Sequence, residues 1–184
     1  MTKRKRKPKP LSRKRLMFYA DWYLERWAST EAALSRALWR RAERVMREHP
    51  ADRDEVGQWI AGIVAFSVEQ GFVNDRRYAE DIIRSHRRKG VSQRKTRSKL
   101  RLKGVDVLTI DELMAEADPR QELRSAFKYA RRRRLGPFRR AATDRDGKQK
   151  ELAKLGRAGF DFDTARTVVD ATPDDAEGVL DSVR

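Results

Sequence analysis

Apolar residues in this chain recur at helical spacing, and no window sustains the alternation of a half-buried strand. Tyr78, Ala79, Ile82, Ile83 and His86 form one such stripe, falling on a single face of a 3.6-residue helix. The fold expected is therefore all-α. An apolar, helix-favouring segment spans about 16–28, and Ser29 and Thr30 can cap a second helix in which Leu34 and Leu38 share a face. That helix ends by Pro50, and a third, about 53–70, closes at Gly71, where a left-handed residue is wanted. Asn74 and Asp75 cap a fourth helix stopped by Gly90, and Ser92 caps a fifth stopped by Gly104. Further helices are expected at about 108–117, 120–135, 148–157 and 164–171, with a Gly-Pro break and the polar loop "TDRDG" among them.

A repeat is visible in the spacing. "LRLKGVDVLTIDELM" set above "LGRAGFDFDTARTVV" pairs Leu100 with Leu155, Gly104 with Gly159, Asp106 with Asp161 and Thr109 with Thr164, without a gap. Each half is a helix end, a glycine stop, an acid able to cap, and a short amphipathic helix. A weaker echo upstream sets Thr30 against Ser92 and "YAD" at Tyr19 against "YAE" at Tyr78. Three-helix units of roughly 50 residues bury too little apolar area to stand alone, so neighbours must support one another. The organisation expected is a basic disordered arm over 1–15, three-helix repeats over 16–71, 72–118 and 119–171, and an acidic tail over 172–184. Tandem packing of such units predicts an elongated, curved body.

Charge changes the picture most. The 184 residues carry a formal net charge of +16, which predicts attraction to polyanions. Between Asp81 and Asp106 there is no acid, while Arg84, Arg87, Arg88, Lys89, Arg94, Lys95, Arg97, Lys99, Arg101 and Lys103 fill the gap. Glu80 can offset Arg84 across one helical turn. On the fifth helix Thr96 and Leu100 turn inward, so Arg94, Lys95, Arg97, Lys99 and Arg101 fan out over the rest. A second block comprises Arg120, Arg124, Lys128 and "RRRR" at Arg131 to Arg134, with only Glu122 against it, and Arg124, Lys128, Arg131 and Arg132 are its expected contacts. Together with Arg87, Arg88 and Lys89, these twelve cations are the set expected to meet a polyanion such as DNA. A merely solvated basic face is the plainer reading. Without interspersed acids it is the weaker one. From Asp161 onward the sign reverses, and that acidic end is read as solvated.

Trp22, Trp27, Trp39, Trp59, Phe72, Tyr78 and Phe160 fall at helical or cap positions and are expected in the core. There is no cysteine, and His49 and His86 stand far apart, so neither a metal centre nor a cofactor is expected. No nucleotide fingerprint or nucleophilic triad appears, and an enzyme is not expected. The longest apolar stretch is too short to span a bilayer, and the N-terminus has no signal-like apolar core, so a soluble, cytoplasmic protein is expected.

The segments "GFVNDRRYAEDIIRSHRRKG" and "SQRKTRSKLRLKGVD" resemble the RecX family, regulators of the RecA recombinase, in the Gly-aromatic-apolar-Asx-Asp start and in the basic helix ending Lys-Gly-Val-Asp. The chain departs from the family pattern in the charged insertion "RRAERVMREHPADRDE", the loop "RRAATDRDGKQK" and the basic arm. The resemblance implies a monomer that lies in the groove of RecA filaments on DNA and restrains strand exchange and ATP hydrolysis. Partners would be the RecA filament and single- and double-stranded DNA, the DNA held through phosphates. The alternative is a stand-alone DNA-binding protein of nucleoid or helix-turn-helix type, since "RKGVS" is a short enough connection for such a motif. Dense lysine and arginine speak of phosphate contact rather than base reading.

Overall fold

The computed structural model describes residues 9–115, 118 and 120–181. Among them lie ten α-helices, one short 3-10 turn and no strand. The helices are α1 (Arg13–Leu24), α2 (Glu31–Met46), α3 (Arg53–Glu69), α4 (Asp75–Lys89), α5 (Gln93–Lys103), α6 (Val107–Ala115), α7 (Gln121–Arg133), α8 (Arg145–Ala158), α9 (Phe162–Asp170) and α10 (Pro173–Asp181), with the turn at Gly136–Phe138. The chain divides into two compact units. The first runs to Tyr78 and takes in Lys103–Val105; the second takes Ala79–Leu102 and the described residues from Asp106 onward.

In the first unit α1, α2 and α3 bury Leu16, Ala20, Leu34, Leu38, Val56, Ile60 and Ile63 in one cluster, which Val73 completes. The caps follow the sequence. The Thr30 hydroxyl accepts from the Ala33 N–H at 3.2 Å, and Asp52 accepts from the Asp54 N–H at 2.8 Å. Asn74 caps α4 by accepting from the Arg77 N–H at 2.9 Å. Asp75 does something else: it accepts from the Glu31 N–H at 2.9 Å and so satisfies the start of α2.

In the second unit Phe127, Leu135, Leu155, Phe160, Val168 and Val169 form the largest cluster, with Ala176 packed in. Glu151 is buried there. It accepts from the Gly136 N–H at 3.0 Å and from Arg139 at 2.9 Å, and Arg139 also donates to the Val169 carbonyl at 2.8 Å. Ala79, Ile83, Leu100, Ile110, Leu113 and Met114 are the buried apolar positions of α4, α5 and α6.

The repeat read from spacing recurs as a repeat of bonds. In the first unit the Thr30 hydroxyl donates to the Lys103 carbonyl at 2.5 Å. In the second, the Ser92 hydroxyl donates to the Ala158 carbonyl at 2.8 Å. Lys103 and Ala158 each precede a glycine in the left-handed region, Gly104 at φ 91° and Gly159 at φ 98°. A β-carbon on Gly104 would lie 2.3 Å from the Ala32 side chain, and one on Gly159 would lie 2.4 Å from the Ser92 hydroxyl. The glycines are demanded both by backbone angle and by close approach. A second bond recurs as well. As Asp75 holds the Glu31 N–H, so Glu122 holds the Gln93 N–H at 3.0 Å.

Several expectations are corrected. Residues 13–15 are not arm but the first turn of α1, because Ser12 caps it by accepting from the Arg15 N–H at 3.4 Å; residues 1–8 lie outside the described residues. α1 stops at Leu24 rather than near 28, and Trp27 folds back onto Trp22 edge-on at 5.4 Å. The loop "TDRDG" contributes to α8, with Asp144 accepting from the Gly147 N–H at 2.8 Å. Most of the expected acidic tail is α10. Thr172 and Asp175 exchange bonds as a capping box, Asp175 accepting from the Thr172 N–H at 2.9 Å and the Thr172 hydroxyl from the Asp175 N–H at 3.2 Å. The face of Ala176, Val179 and Leu180 then packs on the second unit's core. Three aromatics expected inside are exposed: Phe72 by 61%, Trp27 by 48% and Trp22 by 39%. Phe160 is buried, and Trp39 and Trp59 pack at the edge of the first core.

Candidate nucleic-acid interface

α5 folds as a cationic helix because its inner face packs. Thr96 and Leu100 are buried, and the Thr96 hydroxyl donates back to the Ser92 carbonyl at 2.9 Å. That leaves the hydroxyl oxygen to accept from His86 Nδ1, 3.0 Å away, so neutral His86 carries its proton on Nδ1. Burial, followed by the nearby Lys89 and Lys99, holds the His86 pKa below its ordinary value. This histidine is a structural link between α4 and α5. Among the described residues no group of His, Asp and Glu could hold a metal ion.

Arg94, Lys95, Lys99 and Arg101 are exposed on the outer face of α5. Arg94, Arg97, Ser98, Arg101 and Leu102 line a shallow groove of about 410 Å3, with Leu102 75% exposed at its end. The Arg94 guanidinium donates to the Gly156 carbonyl at 3.3 Å, which steers it towards α8. Cations in the first turn of a helix oppose its dipole. α5 has Arg94 and Lys95 there and no acid of its own. Glu122 supplies one from α7, through its bond to the Gln93 N–H. Burial, the dominant cause, raises the pKa of Glu122, and the Gln93 bond pulls the other way.

Arg87, Arg88 and Lys89 stand in the last turn of α4, where cations complement the helix dipole. Arg88 and Lys89 are exposed; Arg87 is half-buried. Arg84, Arg87, Arg88 and Lys128, with the acid Glu80, line a second groove of about 370 Å3 together with Ile83 and Leu113. Lys128 donates to the Arg87 carbonyl at 3.4 Å, which brings α7 against the end of α4. Arg131 is exposed with its guanidinium 5.4 Å from the Phe138 ring, and Arg132 is exposed beside it.

Among the described residues, two of the twelve expected cations pair with carboxylates. Arg124 is 5% exposed and ion-paired to Asp118, so it is part of the fold and not of an outward surface. The Arg120 N–H first, then the Arg124 guanidinium, lowers the Asp118 pKa. Arg97 is half-buried and paired with Asp111 of α6. Arg84 pairs with Asp81 at 3.8 Å. The acid-free gap is therefore answered in space by Asp111 and Glu122, from elements outside it. Sequence reasoning missed both, since neither lies at helical spacing from its partner.

The central helices match a family description. The description "RecX, second three-helix domain" matches residues 74–114. A regulatory protein RecX of Myxococcus xanthus is 37% identical over 170 residues, 91% of each chain. The chain belongs to the RecX family. A regulatory protein RecX of Agrobacterium fabrum is 32% identical, covering 88% of this chain and 85% of its own. A crystal structure of regulatory protein RecX, 20% identical, superposes with a TM-score of 0.64 over 86% of this chain and 72% of that one. The crystal structure of RecX from Lactobacillus salivarius, 17% identical, gives 0.64 over 93% and 97%. The fold is the helical-repeat fold of RecX, and the chain is a RecX-type regulator. No described helix is long and apolar enough to cross a membrane.

Proposed function

We propose that this RecX-family protein regulates the RecA recombinase by binding RecA filaments on DNA, restraining strand exchange and ATP hydrolysis. In this reading it works in the cytoplasm as a monomer without catalysing a reaction, and its helices act as three successive three-helix units. Contacts to single- and double-stranded DNA run through phosphates. The observation that carries the reading is the outer face of α5, where Lys95, Lys99 and Arg101 stand exposed on a helix anchored by Thr96 and Leu100. A cationic face on a packed helix suits a groove beside a polyanion, and contacts to several filament subunits at once would multiply affinity.

The test is RecA-catalysed ATP hydrolysis on single-stranded DNA, titrated with this protein. Turnover is expected to fall at sub-stoichiometric ratios, and the double variant Lys99→Glu, Arg101→Glu is expected to lose at least most of that effect while keeping its helix content. Unchanged turnover with the wild-type protein, alongside salt-sensitive DNA binding, would instead support the stand-alone DNA-binding reading.

A further inference from the structure

A groove of about 720 Å3 opens along α1 in the first unit, lined by Leu11, Lys14, Arg15, Phe18, Tyr19, Trp22 and Arg41 among others. Its composition is unlike that of the α5 surface. Phe18 is 75% exposed and Trp22 39% exposed, side by side with Leu11 and Tyr19. Single exposed apolar residues are ordinary, but a contiguous aromatic run at the surface marks a contact site. Trp22 and Tyr19 are also held in place. Trp22 stacks on Tyr19 with centroids 5.6 Å apart and planes at 25°, and the Arg26 guanidinium sits 4.6 Å from the Trp22 ring. Arg41 lies 5.6 Å from the Tyr19 ring.

We infer that this groove binds single-stranded nucleic acid, with a base lying on Phe18 beside Trp22 and the neighbouring phosphates on Lys14, Arg15 and Arg41. Lys14, Phe18 and Trp22 follow one another every four residues on α1, about 6 Å apart along the axis. One cation and two rings therefore share one line, with Arg15 and Arg41 lining the same groove, so that ring faces for bases and charges for phosphates lie together. A duplex keeps its base faces stacked and could meet only the cations. Rings that lie ready-made and cations beside them are the two parts of a sequence-tolerant platform for single strands. Asp21 and Glu25 are the acids on the flank of α1, and Glu25 is answered by Arg26 at 3.3 Å. The charge left over the groove is positive. An acidic amphipathic peptide is the competing occupant; it would bury apolar side chains in the groove and would have no use for a flat exposed ring face.

The site shares no residue with the α5 face, so failure here leaves the proposed regulation standing, and the reverse. The test uses the full chain and two labelled oligomers of equal length, oligo(dT) and an abasic phosphodiester strand. Phe18→Ala is expected to weaken oligo(dT) binding about tenfold, in the range of one base–ring stack, and to leave the abasic strand and the salt dependence unchanged. Arg41→Gln is expected to weaken both strands alike. Should Phe18→Ala disturb folding, Phe18→Leu keeps the apolar volume and removes the π face, and is expected to show the same selective loss. No change on oligo(dT), or an equal loss on both strands, overturns the inference. So does an acidic amphipathic peptide of glutamate and leucine that binds through Phe18 while oligo(dT) does not.

Discussion

Thr30 and Ser92 each use one hydroxyl twice. The oxygen caps its own helix, and the proton goes to the last carbonyl before a left-handed glycine, 73 residues on for Thr30 and 66 for Ser92. The cap could be read from the sequence, because Ser and Thr before a helical run have one local use. The second bond could not, because its acceptor is distant in the chain. Gly159 shows the consequence. Gly159→Ala places a β-carbon against the Ser92 hydroxyl at φ 98°, and should cost about 1–3 kcal/mol of stability. Gly156→Ala is the control: it lies within α8, its β-carbon meets nothing within 4 Å, and it should stabilise by about 0.5–1 kcal/mol. Chemical denaturation of the two variants should shift the midpoint in opposite directions.

Among the helices, α10 teaches how a charge pattern misleads. Asp174, Asp175, Glu177 and Asp181 make it look like a solvated tail. Yet Thr172, Pro173 and Asp175 spell a helix start, and Ala176, Val179 and Leu180 keep one apolar face. Acids near a helix N-terminus also favour its dipole, so the same residues that suggested a solvated tail help the helix form. Thr172→Ala should remove the cap at a cost of about 0.5–2 kcal/mol. Hydrogen exchange should then quicken at the amides of α10 ahead of those in α8 and α9. Equal exchange throughout would mean that packing of Ala176, and not the cap, holds the helix. α5 makes the converse point, since its burden of cations is balanced by Glu122 and Asp111 from α7 and α6.

For the protein as a polyelectrolyte, the formal charge of +16 overstates what a ligand meets. Arg97, Arg124 and Arg139 are ion-paired to Asp111, Asp118 and Glu151. The outward field comes from cations such as Lys99, Arg101 and Arg132, which stand exposed. A plot of log affinity for single-stranded DNA against log salt should therefore respond selectively. Arg101→Gln should flatten the slope by about 0.7, the share of one lost phosphate contact on a single strand. Arg124→Gln should leave the slope alone and lower stability instead, because it removes the ion pair of a side chain that is itself buried. Equal slopes for the two variants would deny Arg101 a phosphate contact.

Periodicity and breakers in the chain are enough to establish an all-helical repeat, the glycine stops and most caps, because each depends on residues within a few positions of one another. The inner face of α5 and the family likeness of its segment were readable for the same reason. Which cations are answered could not be read: Arg124 and Arg97 differ from Arg101 only in what the folded chain brings beside them. Nor could the fate of Trp22, Trp27 and Phe72, since helical spacing reveals that residues share a face but not whether another element covers it. Coulomb attraction and burial act through space, and the sequence orders residues only along the chain.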